Sequence, residues 1–197
     1  MELKNEPKVL GLDISTKTIG WALFGIKTQN LLELTHFSPR VTPRPKDKIE
    51  EHLKKATAFE EKLKAVKELG VVKVIIEEPL LTSNNIYTVG SLLRYNSMIV
   101  KTVYDILGIV PQFISTYNSR KFAHESLYTY NNQGKKVLFG GQPKGCDKKH
   151  LVWEQVKILE PHIVWPLART GNLKKECYDM SDAYTCVRGL MKQESIW

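Results

Sequence analysis

Residues 8–14 and 19–26 are apolar and β-branched on either side of the polar run STKT, and the stretch NLLELTHF follows after a short break. Runs of this length bounded by turn-forming residues predict three consecutive strands joined by tight turns, an antiparallel meander. The stretch SPRVTPRPK cannot continue a strand, because its prolines lack donors, and it leads into a helix predicted from about Asp47 to Leu69. Ile49, Leu53, Ala56, Phe59, Leu63 and Val66 recur at spacings of three and four, which predicts one buried stripe. VVKVIIEEP then predicts a buried strand ended by Pro79. A second helix, predicted from Tyr87 to Leu107, carries Leu92, Ile99, Val103 and Ile106 on one face and Leu93, Val100 and Leu107 beside it. A helix apolar over so much of its circumference is either central in the core or shared with another subunit.

IVPQFIS predicts a fifth strand and YNSRKFAHESLY a short helix. TYNNQGKKVLFGGQPKGC is irregular, Gly-rich and basic, although its KKVLF has the β-propensity for a small hairpin. DKKHLVWEQVKIL and YDMSDAYTCVRGLM predict two closing helices. Neither an internal repeat nor a linker long enough to separate domains is present. The pattern therefore predicts an α/β fold, a mixed five-stranded sheet with helices on both faces. With 42% hydrophobic residues among 197, one domain spanning the chain can bury a substantial core.

Charge adds a partner class. The net charge of +8 and a pI near 9.3 suit a polyanion. Residues 120–149 concentrate it: Arg120, Lys121, Lys135, Lys136, Lys144, Lys148 and Lys149 stand against Glu125 and Asp147 alone. No apolar run approaches the roughly 20 residues of a membrane span, and MELKNEPK lacks the apolar segment of a signal peptide. The expectation is a cytoplasmic protein of a bacterial or virus-infected cell, with no membrane partner. Cys146, Cys177 and Cys186 are odd in number and form no CxxC pair, which supports neither a disulfide framework nor a zinc knuckle. Cys146 with His150 supplies at most half of a tetrahedral zinc site.

The candidate chemistry lies in four acids placed where an ordinary core would not want them. Asp13 ends the first predicted strand, Glu77 ends the fourth, and Asp179 and Asp182 stand near the start of the last helix. A spacing of three puts Asp179 and Asp182 on one helix face. If that face packs over strands one and four, the four acids converge, and such a cluster repels itself unless cations occupy it. Hard oxygen ligands suit Mg²⁺ or Mn²⁺, and two ions would activate a water and stabilise the leaving oxygen of a phosphodiester. Taken singly, each acid has an ordinary reading: a turn residue for Asp13, an exposed neighbour in Glu78, a first-turn acid favoured by the helix dipole for Asp179.

Together, GLDISTKTIGWAL, VIIEEPLLTSN, DKKHLVWEQV and DMSDAYTC resemble the successive motifs of the RuvC-like Holliday-junction resolvases, within the ribonuclease H-like superfamily. The resemblance covers nearly the whole chain. It implies a ribonuclease H-like fold, Asp13, Glu77, Asp179 and Asp182 as metal-binding acids for two ions, cleavage of four-way or related branched DNA, and a homodimer. Lys149 matches a basic residue of the family near the scissile phosphate, with Lys148 as the alternative in register, and Lys121 matches another. Arg120, Lys135, Lys136, Lys144 and Lys148 join Lys121 as candidate DNA contacts. Two departures stand out. Leu80 and Leu81 occupy the positions of the aromatic that wedges into the junction in bacterial members, Tyr87 reads either as an ordinary helix-start aromatic or as a substitute for it, and residues 128–147 are a basic insertion. Two other readings share these motifs. An actin-like or sugar-kinase-like ATPase uses a similar first phosphate loop but needs a second, Gly-rich one, and a ribonuclease H acting on RNA–DNA hybrids normally takes its second acid from a helix.

Overall fold

The computed structural model describes residues 6–80 and 85–197. Three antiparallel strands, β1 (Lys8–Ile14), β2 (Ile19–Gly25) and β3 (Leu31–Phe37), form the expected meander. α1 (Lys48–Lys67) leads into β4 (Val71–Glu77), which runs parallel to β1, and α2 (Ile86–Leu107) leads into β5 (Gln112–Ile114), parallel to β4. The sheet order is β3-β2-β1-β4-β5. α3 (Thr116–Ala123), a small hairpin of β6 (Tyr128–Tyr130) and β7 (Lys136–Leu138), α4 (Lys148–Leu159) and α5 (Glu176–Gln193) complete the chain. The fifth strand is shorter than IVPQFIS predicts, and the helix predicted over YNSRKFAHESLY breaks at His124 into a turn of 3-10 helix over Glu125–Leu127.

Helix ends follow local chemistry. Asp47 caps α1 by accepting from Ile49 N, Asn85 caps α2 by accepting from Tyr87 N and Thr88 N, and Asp147 caps α4 by accepting from Lys149 N and His150 N. Gly108, at φ 71°, ends α2 in the left-handed conformation that a residue with a Cβ avoids.

The central strands are buried on both faces, and their alternation assigns each residue to one helical layer. Leu10, Leu12, Ile14, Val74 and Ile76 pack with Phe59 and Leu63 of α1 and Tyr95, Ile99 and Val103 of α2. Val9, Ala22, Phe24 and Ile75 pack with Ala183, Tyr184, Val187 and Met191 of α5 and Val156 of α4. By the same alternation Asp13 and Glu77 point to the α5 side.

The predicted stripe on α1 holds only in its second half. Ala56, Phe59, Leu63 and Val66 are buried, but Ile49 and Leu53 are 46% and 52% exposed. The first turns instead bury Glu51, His52 and Lys55. Lys55 Nζ pairs with Glu51 at 2.7 Å and donates to the Thr16 carbonyl at 2.8 Å, which turns the polar side of the helix toward the β1–β2 turn. α2 is intermediate between the two expectations, since Tyr95, Asn96, Ile99 and Val103 are buried while Leu93 and Tyr104 are exposed.

The corrected stripe sets a stability contrast. Phe59, fully buried against Trp21 and Phe37, should cost about 3–5 kcal/mol on replacement by Ala, whereas Leu53→Ala should stay within about 0.5 kcal/mol. Urea unfolding of the two variants measures both.

Candidate active site

β1 and β4 are parallel neighbours paired through Leu12 and Ile76, so the next residues, Asp13 and Glu77, emerge side by side at their carboxyl ends. α5 crosses the same face. A Cβ on Gly20 would collide with the Asp179 carbonyl, and one on Gly11 would lie 2.5 Å from the Ala183 carbonyl. Only glycines at these strand positions let the helix settle low enough to bring its acids to the strand ends. Carboxylate oxygens of Asp13, Glu77 and Asp182 lie within 4.8 Å of one another, the one such metal-competent group among the described residues. Asp179, one turn earlier on α5, is half-buried beside this triad rather than within it.

Two cations meet the cluster at Asp182, which is 2% exposed. Arg120 Nη2 donates to its Oδ1 at 3.1 Å, and Lys149 Nζ lies 3.0 Å from its Oδ2. Arg120 is thus a correction to the expected DNA contacts: it is buried, not on the surface. α3 packs tightly on α5, where a Cβ on Gly189 would lie 2.5 Å from the Ser119 carbonyl, and this contact turns the adjacent Arg120 inward. No spacing in the sequence signals that pairing. The same interface holds His124, whose Nε2 is 2.8 Å from Thr185 Oγ1 and whose burial pushes its pKa down to about 3.

The electrostatics match a site short of positive charge. Desolvation pushes Asp13 well above the usual carboxylate range, and the charges of Glu77, Asp182 and Asp179 push the same way. Desolvation and then Asp182 raise Glu77 to about 7, against the Thr116 hydroxyl, Arg120 and Lys149. Desolvation raises Asp179 to about 6, against Lys149. Burial opposes the Lys149 charge, but Asp182, Asp13 and Asp179 outweigh it and hold the ammonium above its ordinary range. One buried oxygen of Glu77 has no hydrogen-bond partner. An orphaned carboxylate oxygen inside a mutually repelling, oxygen-only donor set fits a divalent cation.

The remaining predicted residues divide by position. Between the adjacent lysines, the geometry selects Lys149 for the acids, while Lys148 reaches over the Phe139 ring at 5.8 Å. Lys121, Lys135, Lys136, Lys144 and Lys148 are exposed. Lys136 lies over the Tyr128 ring at 4.5 Å, and Phe139 and Leu138 at the hairpin's end pack on Val152 and Leu151 of α4. The basic hairpin is therefore docked on the helix that carries Lys149. Leu80 is 63% exposed, and Leu81 lies outside the described residues. Cys177 and Cys186 are buried free thiols, and Cys146 is free and half-buried.

No family model and no curated protein matches the sequence. Among solved structures, the chain is similar to T. thermophilus RuvC in complex with a Holliday junction substrate, with a TM-score of 0.57 at 9% identity over 91% of this chain and 92% of that one. It is also similar to a second Thermus thermophilus RuvC structure, with a TM-score of 0.55 at 12% identity over 96% of this chain and 97% of that one. At such identity the likeness establishes the fold alone. The chain has a RuvC-like, ribonuclease H-like fold, with the mixed five-stranded sheet its sequence pattern predicts.

Proposed function

We propose that this protein is a divalent-metal-dependent endonuclease that cleaves phosphodiester bonds in four-way (Holliday) DNA junctions or related branched DNA. The observation that carries this reading is the convergence of Asp13, Glu77 and Asp182 within 4.8 Å at the ends of two parallel strands. These acids, with Asp179 beside them, would hold two Mg²⁺ or Mn²⁺ ions. Ions so held supply an activated water and neutralise charge on the leaving oxygen. Arg120 positions Asp182 from behind, since a buried guanidinium fixes the carboxylate's orientation. Lys149, half-exposed at the rim, can swing from Asp182 to meet a phosphate oxygen. The exposed Lys121, Lys135, Lys136, Lys144 and Lys148 extend this positive rim as backbone contacts for DNA. We read residues 1–197 as one nuclease domain in which 128–147 is an addition.

The competing readings find less support. The hydroxyl of Ser15 is spent within its own turn, accepting from Thr18 N at 3.0 Å and donating to the Thr18 carbonyl at 2.8 Å, which leaves the STKT loop poorly set to cradle a nucleotide phosphate. Glu77 comes from a strand, as the resolvase resemblance requires, and not from the helix expected of a ribonuclease H. A homodimer is part of the proposal, because paired cuts across a four-way junction need two sites related by a twofold. The exposed side of α2 and the strand end beside it offer an apolar groove of about 660 Å³, lined by Leu93, Val100, Tyr104, Val110 and Phe113, for the second copy.

With Mg²⁺, the protein should cut a four-way junction in two opposed strands, in preference to a linear duplex and an RNA–DNA hybrid, and light scattering should read a dimer. Asp13→Asn and Glu77→Gln should each lower the cleavage rate at least about a hundredfold while junction affinity stays within about threefold. Wild-type rates in both variants would remove the assignment.

The raised carboxyls also set a stability trend. Glu77 holds its proton to about pH 7 in the fold against an ordinary 4.5, so between these values the native state binds more protons than the unfolded chain. Stability therefore falls as pH rises through that window. Metal-free protein should melt at lower temperature at about pH 7.5 than at about pH 5, and Mg²⁺ should raise the melting temperature more at the higher pH. Glu77→Gln should flatten the metal-free trend in differential scanning fluorimetry.

Replacing Lys135, Lys136 and Lys144 together by Ala should weaken binding to all branched DNAs about equally. The slope of log affinity against log salt should flatten by up to roughly 3, one unit for each phosphate that a lysine no longer neutralises. Fluorescence anisotropy across a salt series reads the slope, and an unchanged slope would return these lysines to solvent.

A further inference from the structure

Phe139 stands where the basic hairpin returns to the body of the protein, and its backbone is constrained. Its φ is 59°, a left-handed value that a bulky side chain rarely adopts. Two hydrogen bonds hold it there: its N–H donates to the Leu127 carbonyl at 2.8 Å, and its own carbonyl accepts from Gln142 N at 3.0 Å. Such a conformation persists only where the surroundings over-determine it, which directs attention to what the side chain does.

The ring is buried with Leu127 and Val152, with Leu138 and Leu151 packed against the same cluster, and Lys148 Nζ lies over it at 5.8 Å. Residues 148, 151 and 152 share one helix face at spacings of three and four, so a single aromatic side chain meets that whole face of the first turn of α4. Lys149 is the next position round the helix, about 100° away, and that offset carries its Nζ to 3.0 Å from Asp182 Oδ2. One turn further along, Ser126 Oγ donates to Gln155 Oε1 at 2.5 Å and fixes the base of the hairpin to the same helix. His150 Nδ1 lies 3.3 Å from the Tyr178 hydroxyl of α5. The turn that carries Lys149 is therefore held from two elements, the hairpin and α5.

We infer that Phe139 is a positioning residue for Lys149. By fixing the rotation of the first turn of α4, it gives the carboxylates to Lys149 and not to the adjacent Lys148. The basic insertion thereby serves the chemistry as well as the grip on DNA. An ammonium on a flexible four-carbon stem reaches a defined point only when its Cα is fixed, and a misplacement of about 1 Å at a reacting group can cost about a hundredfold in rate. The consequence for cleavage rests on the nuclease reading above, whereas the placement of the ammonium does not.

Phe139→Gly is the direct test, because glycine takes the positive φ without strain and only the ring is lost. In metal-free protein carrying ¹⁵N-labelled lysine, the side-chain ammonium resonance of Lys149, assigned by its loss in Lys149→Ala, should move to the position of exposed lysines. In single-turnover cleavage of a four-way junction with Mg²⁺ and saturating protein, the variant should be slower by about tenfold with junction affinity within about threefold. Phe139→Leu, which keeps the apolar contact, should stay within about threefold of the wild-type rate. Leu138→Ala, a milder change in the same cluster, should move both readouts the same way by less, and it carries the test if the glycine variant does not fold. In a Lys149→Ala background Phe139→Gly should lower the rate no further, since a residue that acts through Lys149 then has nothing to position. An unmoved ammonium resonance, or a full tenfold loss in that background, would overturn the positioning role. The two readings fail separately: wild-type protein that cuts no branched DNA while the Lys149 resonance moves in Phe139→Gly overturns the nuclease reading alone, and junction cleavage with an unmoved resonance overturns the positioning role alone.

Discussion

Three carboxylates within 4.8 Å of one another are the constraint around which this molecule is arranged. At an effective dielectric near 20, each such pair repels by about 3 kcal/mol when ionised, and burial makes ionisation harder still. The protein accommodates the conflict in two ways. It raises the acids' affinity for protons, with Glu77 near 7 and Asp179 near 6, and it brings two cations to Asp182. Burial and mutual repulsion push Asp13 and Glu77 toward their protonated forms, and a divalent cation held among the same oxygens would relieve that repulsion instead.

Holding the acids together requires backbone contact closer than side chains permit. Gly11 and Gly20 let α5 descend onto β1 and β2, and Gly189 lets α3 descend onto α5. These approaches are coupled, because α5 carries Asp182 and α3 carries the Arg120 that orients it. The two cations differ in exposure, and the difference divides their work. Arg120, 9% exposed, is part of the scaffold, whereas Lys149, with 48% of its side chain exposed, stands between the scaffold and anything that approaches from solvent. The basic hairpin packed on α4 then extends the positive surface on the side of that lysine.

Much of this was legible in the chain itself. Alternating and 3.6-residue periodicities specified the meander, the strand ending in Glu77, the two long helices and the closing pair, because burying apolar surface at those periods leaves few other architectures. Asp13, Glu77 and Asp182 were visible as charges at positions that periodicity assigns to the interior, where an ionised group without a counter-charge is unstable. The basic insertion was equally plain as a run of lysines among glycines.

What the tertiary structure decided were choices that periodicity leaves open. Whether the first turns of α1 bury Leu53 or Lys55 depends on which neighbour offers a carbonyl, and Thr16 does so from a loop 39 residues away in sequence. Whether Arg120 faces solvent or Asp182 depends on the close approach at Gly189, a contact between residues 119 and 189 that no local pattern encodes. Lys148 and Lys149 are equivalent by composition, and only the rotation of α4 gives the acids to one and the Phe139 ring to the other. Local sequence determines which element forms, through backbone propensity and the period of burial. Long-range packing determines which side chain of that element meets which partner, because those contacts exist only once the elements are stacked.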